Sequence, residues 1–80
     1  MKVRAVLRKL NGVPAENRDV VLVVKEISGD KLYVDSSDSR GEVQFEIEKG
    51  KEVVLIVNGI FINSFIIGDK ENLVYYVSRM

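Results

Sequence analysis

Hydrophobic and polar residues alternate along most of this chain. The alternation is clearest at residues 42–48, where Val43, Phe45 and Ile47 are separated by Glu or Gln side chains. Successive side chains of a β-strand point to opposite faces of the sheet. The pattern therefore predicts a strand that buries Val43, Phe45 and Ile47 and leaves its other face in water.

Seven strands and no helix are predicted along the chain. The first strand alternates apolar with basic residues, namely Val3, Ala5 and Leu7 with Lys2, Arg4 and Arg8. The other strands are expected at Val20–Ile27, Leu32–Asp35, 42–48, Val53–Val57, Ile60–Ile67 and Leu73–Ser78. Turn-forming residues separate them at Asn11–Pro14, Ser28–Asp30, Ser36–Gly41, Gly50, Asn58-Gly59 and Gly68-Asp69.

Asn58-Gly59 gives the strongest local prediction. A type I′ hairpin turn needs positive φ at both central residues, which Asn and Gly tolerate. A two-residue turn at this point pairs Val57 with Ile60 and Ile56 with Phe61. These pairings decide which side chains of the hairpin share a face.

The strand pattern predicts one all-β domain over residues 1–80. We expect a seven-stranded antiparallel Greek-key β-sandwich, with a small barrel as the alternative. The first and fourth strands have one polar face and are expected at sheet edges. The second, fifth and sixth strands are apolar on both faces and are expected in sheet interiors.

Composition narrows the chemistry that the domain can perform. The 80 residues include no Cys and no His, which excludes a disulfide and the two commonest zinc ligands. Hydrophobic residues make up 46% of the chain, so packing alone has to hold the core together. No cofactor is expected.

Charge and hydropathy bear on partners and location. Twelve basic and twelve acidic residues give a net charge of zero, which argues against a general nucleic-acid binder. A local basic stretch of Lys2, Arg4, Arg8 and Lys9 keeps phosphate binding open as an alternative. No targeting segment or membrane span is predicted. The chain as written is expected to be cytoplasmic, or secreted or at the cell surface if it belongs to a longer exported protein.

Two segments carry a resemblance to a known family. Gly12-Val13-Pro14 is followed by Val20-Val21-Leu22, and residues 38–47, with the sequence DSRGEVQFEI, are followed by Gly50. These segments resemble the carboxypeptidase regulatory-like domains, which belong to the transthyretin-like (prealbumin-like) β-sandwiches. The resemblance spans essentially the whole chain, although other Ig-like sandwiches carry similar turn and core residues.

The resemblance implies a scaffold and not a reaction. Domains of this kind are mostly non-catalytic accessory domains beside enzymes, or repeats in surface and secretion proteins. One enzymatic branch, the hydroxyisourate hydrolases, depends on histidines and a Tyr-Arg-Gly-Ser ending. This chain has no His and ends Tyr76-Val77-Ser78-Arg79-Met80, so that activity is not implied.

Acidic residues offer the only candidate metal ligands. Asp35, Asp38 and Glu42 lie close together in sequence and carry the oxygen ligands that Ca²⁺ prefers. Their spacing matches no known calcium loop. We expect instead that Asp38 accepts hydrogen bonds from backbone N–H groups two residues on, with positive φ at Gly41.

The sequence gives even less support for a catalytic site than for a calcium site. Glu46 and Glu48 share a predicted strand face about 7 Å apart, a spacing found in glycosidase pairs, but they follow the solvated side of that strand. The serines have no His or Cys partner, and Lys25 is the only lysine in an apolar context. We assign no catalytic, cofactor-binding or metal-binding residue and predict that the domain is not an enzyme.

Three tyrosines are candidates for ligand contact. Tyr33, Tyr75 and Tyr76 are expected near the surface, and one of the adjacent pair has to point outward if the last strand is regular. An exposed tyrosine could stack on a sugar or a base. The alternative is that it closes a sheet edge.

A second set of apolar residues is predicted to point away from the core. If the second and fifth strands share a sheet, as in the resembled fold, the candidate interface consists of Val21, Val23, Val54, Ile56 and Phe61. We therefore expect a homo-oligomer, or contact with an adjacent domain. The opposite parity, which would bury this set, is the alternative. The predicted function is a structural or protein-interaction module, with a carbohydrate- or nucleic-acid-binding module as the other hypothesis.

Overall fold

A computed structural model describes residues 1–68 and 72–78 of the protein. Seven strands are present: β1 (Lys2–Lys9), β2 (Asp19–Val24), β3 (Lys31–Ser36), β4 (Glu42–Glu46), β5 (Glu52–Val57), β6 (Ile60–Ile66) and β7 (Asn72–Ser78). The prediction of an all-β domain with seven strands is confirmed. The expected turn at Gly68-Asp69 and the chain ending at Arg79 and Met80 fall partly or wholly outside the described residues.

The strands form two sheets that enclose one hydrophobic core. One sheet has three strands in the order β4-β1-β7, and the other has four strands in the order β3-β2-β5-β6. The core takes alternate residues from both sheets, among them Val3, Ala5, Leu7, Val20, Leu22, Val43, Phe45, Ile47, Val53 and Leu55. Two sheets around one core fit a β-sandwich.

The predicted strand at residues 42–48 is shorter in the structure, where β4 ends at Glu46, but the segment buries the side chains that its alternation predicts. Val43, Phe45 and Ile47 are all less than a tenth exposed. Glu46 and Glu48 on the opposite parity are exposed to solvent. The period-two pattern therefore placed the core face of this segment correctly.

The β5–β6 hairpin also follows its prediction. Both turn residues have positive φ, 49° at Asn58 and 79° at Gly59. Val57 pairs with Ile60, and Ile56 pairs with Phe61. A register shift between Leu55 and Ile56 then marks a β-bulge in the hairpin.

The prediction of wholly antiparallel sheets is wrong for one strand pair. β7 lies parallel to β1, with Asn72 opposite Val3 and Ser78 opposite Lys9. β7 comes after β6 of the other sheet, and its first residue lies beside the start of β1. Both strands therefore run in the same direction. Alternation of apolar and polar residues carries no information about strand direction.

An edge or central position was predicted for five strands and is correct for three of them. β2 and β5 are central and β4 is an edge, as expected, but β1 is central and β6 is an edge. Charged outward residues on β1 are compatible with a central position because the outward face of that sheet is in water. β6 carries apolar residues on both sides because the outward face of its sheet is apolar, and not because it lies in the interior of the sheet.

The second strand is shorter than predicted. β2 ends at Val24 and not at Ile27, whose side chain is fully exposed. The chain turns away because Gly29 adopts a φ of 122° and its N–H donates to the Glu26 carbonyl at 3.2 Å. The Lys25 ammonium and an Asp30 carboxylate oxygen, 3.1 Å apart, join the two sides of this turn.

Candidate interaction surface

The central strands of the four-stranded sheet place a second row of apolar side chains on its outward side. Val20, Leu22 and Val24 are buried, so the residues between them in β2 face away from the core. In the antiparallel register of β2 and β5, Val21 lies opposite Ile56 and Val23 lies opposite Val54. These four outward residues form one block at the centre of the sheet. Each is half-buried by its neighbours.

Both edge strands extend this block. On β3, Val34 lies opposite Val21 and Leu32 lies opposite Val23. On β6, Phe61 lies opposite Ile56 and Ile66 lies opposite Glu52. We name this set the outer apolar face; it consists of Val21, Val23, Leu32, Val34, Val54, Ile56, Phe61 and Ile66. The four edge-strand members are between 63% and 69% exposed.

The five residues predicted from sequence therefore lie on one face, and the opposite parity does not occur. Sequence reasoning missed Leu32, Val34 and Ile66. The alternation of Leu32 and Val34 was visible in the sequence. Its direction could not be assigned without the register between β2 and β3.

The described strands keep charge away from the middle of the outer apolar face. Asp19 begins the outward row of β2, and Glu52 begins the outward row of β5 at the other end of the sheet. The remaining outward strand positions, including Ser36 and Ser64, are uncharged. Covering the middle of this face would therefore bury no charged group.

The outward side of the three-stranded sheet has a different character. Val6 points outward, yet it is only 3% exposed. Its neighbours across the sheet are Glu42 and Tyr75, and its neighbours along β1 are Arg4 and Arg8. Val6 is therefore enclosed by longer side chains, among them Arg4 and Glu42, whose side chains are 37% and 18% exposed.

Both arginines of β1 have partners within the protein. The Arg4 Nε lies 3.8 Å from a Glu42 carboxylate oxygen. The Arg8 guanidinium donates to the Arg40 carbonyl at 2.6 Å. Acidic side chains on β4 thus balance the predicted basic stretch, and the two strands present a mixed charged surface.

The three tyrosines do not share a face. Tyr75 points outward and is 63% exposed, whereas Tyr76 is partly buried against the core. One member of this pair points outward, as predicted. Tyr33 lies on the core side of β3, opposite Leu22, and its ring meets Phe45 edge-on with centroids 6.5 Å apart. Its expected role as a surface group is therefore wrong in part, since it closes one side of the core.

Asp38 organises the turn that leads into β4. Its Oδ1 accepts hydrogen bonds from the backbone N–H groups of Arg40 at 2.9 Å and Glu42 at 3.0 Å. These bonds, the one from Glu42 first, lower the pKa of the Asp38 carboxyl. Gly41 has a φ of 74°, and a Cβ there would lie 2.3 Å from the Leu7 carbonyl oxygen. The predicted turn is confirmed.

The remaining candidate groups are not gathered into a site. Glu46 lies 3.2 Å from the amino group of Met1, and Glu48 follows the end of β4. Lys25 is exposed and paired with Asp30. Across residues 1–68 and 72–78, no group of three acidic side chains is arranged to hold a metal ion.

Comparison with protein-family models and with curated proteins finds no significant match to the chain. None of the described residues forms a helix with the length and hydrophobicity of a membrane span.

Proposed function

We propose that this domain is a non-catalytic protein-interaction module whose contact surface is the outer apolar face. One observation carries the proposal: four adjacent strands turn apolar side chains outward, and the four on the edge strands are more than 60% exposed. Single exposed apolar residues are common on soluble proteins, but contiguous patches usually mark a site of contact.

The composition of the face suits association with another protein. Interface cores are depleted in charged residues and enriched in large apolar and aromatic ones. Here Phe61 and Ile66 project from one edge strand, and Leu32 and Val34 project from the other. Each apolar side chain removed from water contributes about 25 cal/mol per Å² of area covered.

We also propose that the two sheets are a Greek-key, transthyretin-like sandwich related to the carboxypeptidase regulatory-like domains. The pairing of β2 with β5 supports this relation, since the resembled fold pairs its second and fifth strands. The Asp38–Gly41 turn before β4 supports it as well. The resemblance in turn favours an accessory role over catalysis.

Site-directed photo-crosslinking tests the contact surface in the cell that makes the protein. A photoreactive phenylalanine analogue replaces Phe61 on the outer apolar face or, as the matched control, Leu73 on the other sheet. Both positions are more than half exposed. We expect covalent adducts from position 61, few from position 73, and none from position 61 when Val23→Lys and Ile56→Lys are added.

The adducts decide the proposal in either direction. Adducts from position 61 that disappear with the two lysines support contact through this face, whichever protein is attached. No adducts from position 61, or equal adducts from positions 61 and 73, would contradict the proposal.

A second candidate function rests on Tyr75. This exposed ring lies opposite Val6 of β1, and Arg4 and Arg8 lie two residues before and after Val6 on that strand. An exposed aromatic ring beside arginines suits stacking on a sugar or a base. Titration with a single-stranded oligonucleotide and with oligosaccharides, followed by NMR, tests it. Binding should shift the resonances of residues 4, 8 and 75, and Tyr75→Ala should abolish the shifts. An unchanged spectrum would rule this candidate out.

A further inference from the structure

We infer that the occupant of the outer apolar face is a second copy of this chain, packed face to face about a two-fold axis. This inference rests on the proposed function, because it names the partner of the same surface. Three properties of the face support it: an uncharged centre, charges of both signs at its ends, and an area close to what a specific dimer requires.

The centre of the face can pack against itself. In a two-fold interface each residue near the axis meets the same residue, or a close neighbour, of the other copy. A charge near the axis would therefore face a like charge. The central block of Val21, Val23, Val54 and Ile56 instead brings together branched apolar side chains, which pack well between two sheets.

The ends of the face are complementary in charge. Asp19 lies at one end of β2, and Lys25 follows the other end, where its N–H donates to the Glu52 carbonyl at 2.9 Å. The Lys25 ammonium also pairs with Asp30 at 3.1 Å, but its side chain stays 46% exposed. With the axis perpendicular to the strands, Lys25 approaches Asp19 of the other copy. With the axis along the strands, Lys25 approaches Glu52 of the other copy. Unlike charges meet in both arrangements, and neither places the Lys25 residues of the two copies together.

The area is sufficient for a reversible dimer. Four strands about 4.8 Å apart, with five or six residues at about 3.3 Å each, give a flat footprint of roughly 350 Å². Projecting side chains increase the accessible surface, so two copies would bury on the order of 1,000 Å² together, the lower bound for a specific interface. We therefore expect dissociation on dilution.

Sedimentation velocity over a concentration series tests the inference. Wild type should shift from monomer towards dimer as its concentration rises. Val23→Lys/Ile56→Lys should raise the dimer dissociation constant at least roughly tenfold, equivalent to about 1.4 kcal/mol. Leu32→Lys/Phe61→Lys should do the same, and its substitutions lie at exposed edge positions that leave the fold intact. Leu73→Lys/Val77→Lys, the matched control on the other sheet, should dimerise like wild type.

The outcomes separate this inference from the proposed function. A wild type that stays monomeric over the whole series overturns the second-copy inference, while the crosslinking result still decides the contact surface. A dimer that persists in both face variants but is lost in the Leu73→Lys/Val77→Lys control overturns it as well. Circular dichroism confirms that each variant is folded before it is compared.

Discussion

On the outward side of the three-stranded sheet Val6 is 3% exposed, whereas on the outward side of the four-stranded sheet Val34 is 69% exposed. Both are valines that point away from the same core. Val6 is central in its sheet and lies among Arg4, Arg8 and Glu42. Val34 lies on an edge strand, opposite Val21, among short apolar side chains.

The difference has two causes, the position of each valine in its sheet and the length and polarity of its neighbours. Arginine can lay its apolar stem over a valine while its charged end bonds to an acidic side chain, a carbonyl or water. Valine, leucine and isoleucine have no polar end to place in this way. The three-stranded sheet thus covers Val6 at its centre from within the chain, whereas Leu73, Tyr75 and Val77 on its edge strand stay between 48% and 63% exposed. The four-stranded sheet leaves Val21 and Val23 on its central strand only half-buried.

The largest loss of stability is expected from a substitution on the core side of the three-stranded sheet. Phe45→Ala should lower the free energy of unfolding by about 3–5 kcal/mol, the range for a buried phenylalanine. Glu46→Ala, on the outward side of the same strand, should change it by no more than about 0.5 kcal/mol. Urea unfolding of both variants measures the difference. Equal loss of stability would mean that the two faces of β4 are assigned wrongly.

A smaller loss of stability is expected from substitutions on the outward sides of the two sheets, and it should differ between them. Val6→Ala removes two covered methyl groups and should lower the free energy of unfolding by about 1.5 kcal/mol, at any protein concentration. Val23→Ala should lose less, because Val23 is only half-buried in the single chain. Its main effect should be on the concentration dependence of the melting temperature. If Val23→Ala proves the more destabilising in dilute solution, the comparison of the two sides fails.

The faces of individual strands could be predicted because side-chain alternation is a local property. It placed Val43, Phe45 and Ile47 in the core, and the Asn58-Gly59 turn fixed the pairing of Ile56 with Phe61. The five interface residues followed once the second and fifth strands were assumed to be neighbours.

Strand neighbours and strand directions could not be predicted, since they depend on contacts between distant parts of the chain. The parallel course of β7 beside β1 is one such contact. The cover over Val6 is another, because Tyr75 reaches it only through that pairing. The contribution of Leu32 and Val34 to the outer apolar face required the register of β3 against β2.

A smaller, pH-dependent change in stability is expected at the Asp38–Gly41 turn, which leads into β4. Two backbone N–H groups hold the pKa of the Asp38 carboxyl below its ordinary value, so its ionised form stabilises the fold at neutral pH. That contribution is lost as the pH falls through the lowered pKa. The melting temperatures of wild type and Asp38→Ala should therefore differ slightly at pH 7 and converge below about pH 4. A constant gap would contradict this role of the carboxylate.

No effect is expected from chelator or reductant. The chain has no Cys or His, and Asp38 uses Oδ1 to accept two backbone N–H groups. Melting with and without a calcium chelator should give the same midpoint within a degree or so. A clear fall on adding chelator would revive a calcium site at Asp35, Asp38 and Glu42.

The most direct test of self-association through the outer apolar face is a concentration series of ¹H–¹⁵N NMR spectra of the wild-type protein. We expect shifts or broadening at Val21, Val23, Val34, Ile56 and Phe61 as the concentration rises. The resonances of Arg4, Gln44, Leu73 and Val77, on the outward side of the other sheet, should not move. Shifts confined to the three-stranded sheet, or a spectrum unchanged at every concentration, would contradict self-association through this face.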